Sequence, residues 1–132
     1  MKILCADVGG TSIKSAMVDE QGRIMDFKEV PTESHLGAVG VMENLRKLLA
    51  TYEDYGAIGI STAGQVDCEK GEIIYASENI PGYTGMKVKM MMEEAFQVPV
   101  KVDNDVNCAA RGEAKFGAGI GEKDLLCLTF GT

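Results

Sequence analysis

The amino-acid sequence predicts an α/β domain whose sheet combines antiparallel and parallel strands. The chain opens with apolar runs separated by short turns, which is typical of consecutive antiparallel strands. A helix with apolar residues at three- and four-residue spacing comes next. A run of small and β-branched residues follows that helix, as expected for a buried strand parallel to an earlier one.

The first part of the chain predicts an antiparallel meander. Residues 1–8 and 12–18 are apolar runs on either side of Gly9-Gly10-Thr11, so we expect two strands joined by a glycine turn. Residues 19–22 form a polar turn that ends in glycine, and residues 23–30 supply the third strand.

A β-α-β crossover is predicted next. Ser34 is expected to cap the first helix, which ends near Tyr52. Residues 55–61 predict the buried parallel strand, and residues 62–76 predict a loop with short irregular strands. The apolar residues of the helix are Leu36, Val39, Met42, Leu45, Leu48 and Leu49.

The rest of the chain predicts two more helices and two more strands. Thr84 is expected to cap the second helix, and Val98-Pro99 ends it. We interpret Cys5 and Cys127 as small buried side chains within strands. The predicted bounds are 86–96 and 106–116 for the helices, and 100–102 and 125–130 for the strands.

Charge and hydropathy disfavour several classes of protein. The net charge of −7 argues against binding to nucleic acid or to an anionic membrane, since either needs a surplus of lysine and arginine. No apolar stretch approaches the roughly 20 residues that cross a bilayer, and Asp7 interrupts the apolar start, so we expect a cytoplasmic protein. The 4 cysteines show no C-x-x-C spacing, so neither a zinc site nor a disulfide framework is predicted.

Asp7-Val8-Gly9-Gly10-Thr11 is a candidate phosphate-binding turn. Glycine lets backbone N–H groups approach phosphate oxygens closely, a hydroxyl donates a further hydrogen bond, and a carboxylate can hold a hydrated Mg²⁺. An ordinary glycine hairpin with an Asx turn at Asp7 explains the same residues equally well, so both interpretations stay open.

Asp103-Asn104-Asp105 is a candidate catalytic segment at the start of a helix. A carboxylate at a strand-to-helix junction can point into a cleft and take a proton from a hydroxyl. The alternative is that Asp103 or Asp105 is only an N-cap. Asn104 has both a donor and an acceptor, which suits recognition of a sugar hydroxyl.

Two loops of small residues, 61–64 and 79–83, follow predicted strands. Ligands bind at the carboxyl ends of strands in α/β sheets, so both loops are candidate ligand sites. Tyr83 either stacks on a sugar ring or packs beside the following helix.

Together these segments resemble the glucokinase-like sugar kinases of the ROK family (repressors, ORFs, kinases), within the sugar kinase/Hsp70/actin superfamily. Residues 7–11 resemble the family's first phosphate motif, and residues 58–67 are similar to its G-I-x-x-P-G-x-V-D segment. Residues 79–85 resemble N-L-P-G-W. Residues 103–113 are similar to N-D-x-N-x-A-A-x-G-E, the most diagnostic motif.

The resemblance implies a ribonuclease H-like (actin-like ATPase) domain: a mixed five-stranded sheet with an N-terminal antiparallel meander and flanking helices. It implies transfer of the γ-phosphate of ATP to a hexose or a related sugar, with Asp105 as the general base. Asp7 would hold Mg²⁺ through water. The nucleotide phosphates would contact Asp7, Gly9, Gly10, Thr11, Gly131 and Thr132, and the sugar would contact Asn104, Gly64, Asn79 and Gly82.

Residues 1–132 are expected to be the N-terminal lobe of such a kinase, with the C-terminal lobe absent. Gly131-Thr132 resembles the opening of the second phosphate motif, so the chain alone is expected to be inactive, and the complete protein to be a homodimer. A sugar-sensing regulator lobe without catalysis is the alternative. ROK regulators carry a helix-turn-helix before this region, and Met1 lies only 6 residues before Asp7, which favours the kinase.

Overall fold

The computed structural model describes residues 1–131, which form a five-stranded mixed sheet, a separate two-stranded sheet and three α-helices. The strands are β1 (Ile3–Val8), β2 (Ser12–Val18), β3 (Ile24–Pro31), β4 (Ala57–Thr62), β5 (Gln65–Asp67), β6 (Glu72–Tyr75) and β7 (Val100–Asn104). The helices are α1 (Gly37–Leu49), α2 (Val88–Phe96) and α3 (Asp105–Phe116), and a 3₁₀ turn at Ser34–Leu36 precedes α1.

The large sheet has the strand order β3-β2-β1-β4-β7. The strands β1, β2 and β3 are antiparallel neighbours, which confirms the predicted meander. The strands β4 and β7 run parallel to β1, which confirms the predicted crossover. In this register Asp7 lies beside Ser61, and Ser61 lies beside Asp103, so the carboxyl ends of three parallel strands meet at one edge.

The hydrophobic core lies between the large sheet and the helices α1 and α2. Leu4 and Val8 on β1 face this core, and alternation along the strand places Cys5 and Asp7 on the opposite face. The helix α1 buries an apolar face against the sheet, made of Ala38, Val41, Met42, Leu45, Leu48 and Leu49. The helix α3, on the other face, has no buried residue. Within residues 1–131, no helix is long and apolar enough to span a bilayer.

Two helices begin later than predicted. Ser34 lies in the 3₁₀ turn instead of capping α1, and α1 ends at Leu49 and not near Tyr52. Thr84 does not cap α2, because its hydroxyl exchanges hydrogen bonds with the backbone of Ala76. In both cases the hydroxyl binds a distant backbone group, which local sequence does not reveal.

The predicted strand at 125–130 is wrong. This segment has no regular secondary structure, and the side chains of Leu126 and Phe130 are 82% and 95% exposed. A strand needs a neighbour for its backbone N–H and C=O groups, and no strand of the described chain pairs with this segment. Cys127 is therefore not a strand residue, whereas Cys5 lies in β1 as expected, and both cysteines are half-buried instead of buried.

Candidate active site

A cavity of about 470 Å³ opens at the carboxyl edge of the large sheet. One wall is the turn Gly9-Gly10-Thr11 between β1 and β2, and Asp105 at the start of α3 forms another part of the lining. The glycine turn and the acidic start of α3 therefore open onto one space. Direct transfer of a chemical group between molecules bound at these two places requires such an arrangement. The rest of the lining is Ala63, Ala76, Ser77, Asn79, Ile80 and Tyr83.

The two glycines of the β1–β2 turn differ in what surrounds them. A Cβ at position 9 would lie 3.0 Å from the Ser12 carbonyl oxygen, so the close approach of the two strands requires glycine there. A Cβ at position 10 would meet nothing within 4 Å, because this residue faces the open cavity. Gly10 is therefore not needed for folding of the turn, and its lack of a side chain keeps the cavity wall open.

Asn104 is the N-cap of α3, instead of Asp103 or Asp105. Its Oδ1 accepts hydrogen bonds from the backbone N–H groups of Val106 at 3.0 Å and Asn107 at 3.3 Å. Its Nδ2 donates to the Gly64 carbonyl oxygen at 2.7 Å. The Asn104 amide thus joins the start of α3 to the loop after β4, and Asn104 itself does not line the cavity.

Asp105 is exposed and presents its carboxylate to the cavity. Its Oδ1 accepts a hydrogen bond from the Val106 N–H at 2.9 Å. An exposed carboxylate in a cavity can accept the proton of a bound hydroxyl, which is the role of a general base.

Asp103 is held inside the protein by its neighbours. Its Oδ1 accepts hydrogen bonds from the Asn104 N–H at 2.7 Å and from Asn107 Nδ2 at 3.2 Å. Its Oδ2 lies 3.3 Å from Nε of Arg111 on α3. These contacts stabilise the junction between β7 and α3, and they leave Asp105 as the exposed carboxylate of the segment.

Asp7 does not line the cavity. Its carboxylate lies on the α3 face of the sheet and accepts a hydrogen bond from Ser61 Oγ at 2.8 Å. Asp7 is half-buried one residue before the end of β1, and within residues 1–131 its second oxygen accepts no hydrogen bond.

The small-residue loops have a structural explanation for their glycines. Gly64 has φ 97°, and a Cβ there would lie 2.9 Å from the Tyr75 carbonyl oxygen. Gly82 has φ 78°, also in the left-handed region. Neither glycine lines the cavity, whereas Asn79 does.

Tyr83 packs in the core and does not stand in the open site. Only 1% of this residue is exposed, and its hydroxyl lies 2.7 Å from Thr62 Oγ1. Burial raises the pKa of the Tyr83 phenol, and the hydrogen bond with Thr62 partly opposes that shift. Tyr83 therefore contributes to the cavity wall from the core side.

Sequence reasoning placed Ala63 and Ile80 in the candidate ligand loops but missed Ala76 and Ser77 as lining residues. The positions of Ala76 and Ser77 between the two predicted loops were a usable signal, but the pairing of β5 with β6 is what brings 63 and 76 together. Gly131 is exposed and does not line the cavity, and Thr132 lies outside the described residues.

A second groove, of about 370 Å³, lies on the opposite face of the sheet, beneath α3. Cys5, Gly59, Lys101, Cys108 and Arg111 contribute to its mostly apolar lining. Burial raises the pKa of both the Cys5 and Cys108 thiols, which disfavours thiolate chemistry there. Within residues 1–131, no group of three or more His, Cys, Asp or Glu side chains is arranged to hold a metal ion.

The chain is similar to sugar kinases in sequence and in structure. A glucokinase of Halalkalibacterium halodurans is 37% identical over 134 residues, covering 96% of this chain and 40% of the relative. A beta-glucoside kinase of Listeria monocytogenes is 32% identical over 132 residues, covering 100% of this chain and 44% of the relative. The chain thus spans about two fifths of the length of these relatives.

A solved structure shows the same arrangement of strands and helices. A ROK family glucokinase from Streptomyces griseus, in complex with glucose and AMPPNP, superposes with a TM-score of 0.82 and 35% identity. The similarity covers 92% of this chain and 38% of that one. The predicted fold class, the actin-like ATPase fold with a mixed five-stranded sheet, is confirmed. The model of the ROK family matches residues 3–132, and the chain belongs to that family.

Proposed function

We propose that these residues form the first lobe of an ATP-dependent sugar kinase, which transfers the γ-phosphate of ATP to a hydroxyl of a hexose or related sugar. The observation that carries the proposal is the shared cavity, because it places a glycine turn and an exposed carboxylate around one space. Phosphoryl transfer depends mostly on positioning and on stabilisation of charge, so the two elements suffice in outline for this side of the site.

Asp105 acts as the general base in this proposal. It is an exposed carboxylate at a helix N-terminus, and only its Oδ1 is engaged by the backbone. Oδ2 is then free to accept the proton of the attacking sugar hydroxyl.

The β1–β2 turn binds the nucleotide phosphates in this proposal. The backbone N–H groups of Gly10 and Thr11 have no hydrogen-bond partner within residues 1–131, and both residues line the cavity. Unpaired N–H groups in a glycine turn are typical donors to phosphate oxygens. Gly9 contributes by letting the turn close, and the predicted contacts of Gly131 and Thr132 remain part of the proposal.

Asp7 fits a Mg²⁺ ion bound mainly by phosphate and water. It is a single carboxylate with one oxygen held by Ser61, and Mg²⁺ is commonly bound by one or two carboxylates together with substrate phosphates. When bound, the ion neutralises charge on the phosphates.

The sugar lies on the side of the cavity formed by the 76–83 segment. Asn79 lines this side. Asn104 directly precedes Asp105, and one of its two Nδ2 hydrogens is held by the Gly64 carbonyl, so the other is the proposed donor to the sugar. Gly64 and Gly82 shape the two loops through their left-handed backbone. The glucose complex of the Streptomyces griseus relative supports a hexose as the acceptor.

The test is the Asp105→Asn substitution in a protein of the same length as the relatives. Residues 1–132 form the first lobe of that protein. We expect turnover to fall by about 10²–10⁴-fold, because the proton acceptor is lost, while sugar affinity changes little. Turnover with glucose is measured with a coupled ADP assay, and sugar affinity by calorimetry.

Asp124→Asn is the matched control, since Asp124 is an exposed carboxylate outside the cavity. Retained turnover in Asp105→Asn would remove Asp105 from the proposed role. An enzyme without turnover on any hexose, but with tight sugar binding, would favour the regulator alternative.

A further inference from the structure

The β1–β2 turn is held from behind by the connection between β3 and α1. The carbonyl oxygens of Gly9, Gly10 and Thr11 accept hydrogen bonds from residues 32–34. Thr32 Oγ1 donates to Gly9 O at 2.7 Å, and Ser34 Oγ donates to Gly10 O. The Thr32 N–H donates to Thr11 O at 2.9 Å. Three consecutive carbonyl groups thus form hydrogen bonds with the same segment, residues 32–34.

Peptide planarity converts these bonds into an orientation of the opposite groups. In a trans peptide the C=O of one residue and the N–H of the next point in opposite directions within one plane. Fixing the Gly9 carbonyl therefore fixes the Gly10 N–H, and fixing the Gly10 carbonyl fixes the Thr11 N–H. Neither of these two N–H groups has a hydrogen-bond partner within residues 1–131, and both belong to cavity-lining residues.

Thr32 is itself rigidly placed. It is 0% exposed, and its own carbonyl oxygen accepts a hydrogen bond from Asn44 Nδ2 of α1 at 3.1 Å. The turn is therefore connected through Thr32 to a helix that packs in the core.

We infer that Thr32 and Ser34 are positioning residues that aim the Gly10 and Thr11 N–H groups at the phosphates of the nucleotide. The inference rests on the proposed function and adds to it two hydroxyls that touch no substrate. Their contribution is preorganisation, because donors fixed before binding lose little conformational entropy when the ligand arrives.

The experiment follows the backbone amide NMR signals of Gly10 and Thr11 while the enzyme that carries residues 1–132 as its first lobe, at the length of the relatives, is titrated with Mg²⁺·AMPPNP. Thr32→Val removes the hydroxyl with little change of shape, and we expect the affinity to fall about tenfold, as for loss of one hydrogen bond. Thr32→Ser keeps the hydroxyl and should bind within about threefold of the unmodified chain. Ser34→Ala is a second variant at a half-buried position and should weaken binding as well.

Ser15→Ala is the control for loss of stability alone. Ser15 is 3% exposed, and its hydroxyl lies 2.8 Å from the Tyr52 hydroxyl in the core, away from the cavity. We expect this variant to lower the melting temperature without changing the affinity for Mg²⁺·AMPPNP.

The possible failures are distinguishable. If the unmodified chain binds and Thr32→Val and Ser34→Ala bind equally well, the positioning role is overturned and the proposed function stands. Equal weakening by Ser15→Ala would also overturn it, since a stability effect would then explain the result. If the Gly10 and Thr11 amides of the unmodified full-length enzyme do not respond, both the positioning role and the proposed phosphate site are wrong.

Discussion

Tyr83 and Thr62 are a buried pair of hydroxyls beneath the candidate active site. Tyr83→Phe removes the hydrogen bond of this pair and leaves the buried Thr62 hydroxyl only its bond to the Ala63 carbonyl oxygen at 3.2 Å, so we expect the free energy of unfolding to fall by about 1 kcal/mol. Urea denaturation measures this change. The double variant with Thr62→Val should lose less than the sum of the two single variants. Additive losses would show that the two hydroxyls do not interact.

The same phenol predicts a dependence of stability on alkaline pH. Burial raises the pKa of Tyr83 above its usual 10.0, so its stabilising contribution is complete below pH 10 and is lost as the pH rises through the raised value. Denaturation at increasing pH should show this loss. Tyr83→Phe should reduce it, whereas Tyr75→Phe, at a position 60% exposed, should not. An unchanged alkaline loss in Tyr83→Phe would contradict the assignment.

Gly10 and Gly64 predict opposite outcomes for the same substitution. Gly10→Ala places a methyl group in open space, so we expect stability to change by less than about 0.5 kcal/mol while phosphate binding is lost to obstruction. Gly64→Ala adds strain at φ 97° and a contact of 2.9 Å, so we expect a loss of about 1–3 kcal/mol. Thermal denaturation and Mg²⁺·AMPPNP titration of both variants check this. A destabilised Gly10→Ala would show that the turn itself needs glycine at position 10.

At the scale of elements, α3 depends on its N-cap because it buries no residue of its own. Asn104→Ala removes both the cap and the bond to Gly64, so we expect a loss of about 1–2 kcal/mol in the free energy of unfolding. Asn104→Ser keeps a capping oxygen and loses only the bond to Gly64, so its loss should be about half as large. Urea denaturation of the two variants separates the contributions. Equal losses would mean that the cap itself adds nothing.

The elements that local pattern could predict are those whose partners are close in sequence. The strands β1, β2 and β3 are joined by short turns, and α1 shows its apolar face in the spacing of Leu45, Leu48 and Leu49. Local sequence does not decide which residue of 103–105 caps α3, because all three residue types are good caps and Asn104 is also held by a bond to Gly64, 40 residues earlier.

At the scale of the whole molecule, the incorrect prediction of a strand at 125–130 shows that composition alone does not determine whether a strand forms. Its apolar residues are suited to a strand, but strand formation depends on an available partner, which is a non-local property. The shared cavity was predictable from motifs at strand ends, whereas the lining by Ala63, Ala76 and Ser77 depends on the β5–β6 pairing.

The exposed 125–130 segment predicts the effect of its removal. Ending the chain after Asp124 should change the free energy of unfolding of the sheet by less than about 0.5 kcal/mol, because side chains such as Leu126 and Phe130 bury little surface. It should also reduce self-association, which light scattering measures. A loss of more than about 1 kcal/mol would show that the segment stabilises the domain.

The two-stranded sheet β5–β6 is separate from the large sheet that supports the phosphate turn. One end of the cavity is therefore formed by the turn between β1 and β2 of the large sheet. The other end is formed by the β5–β6 hairpin and the 76–83 segment after it. If the proposed function holds, substitutions in the hairpin would reshape acceptor selectivity while the donor end keeps its geometry. Such a division would let one scaffold diverge toward new sugars without change to the residues proposed to bind ATP.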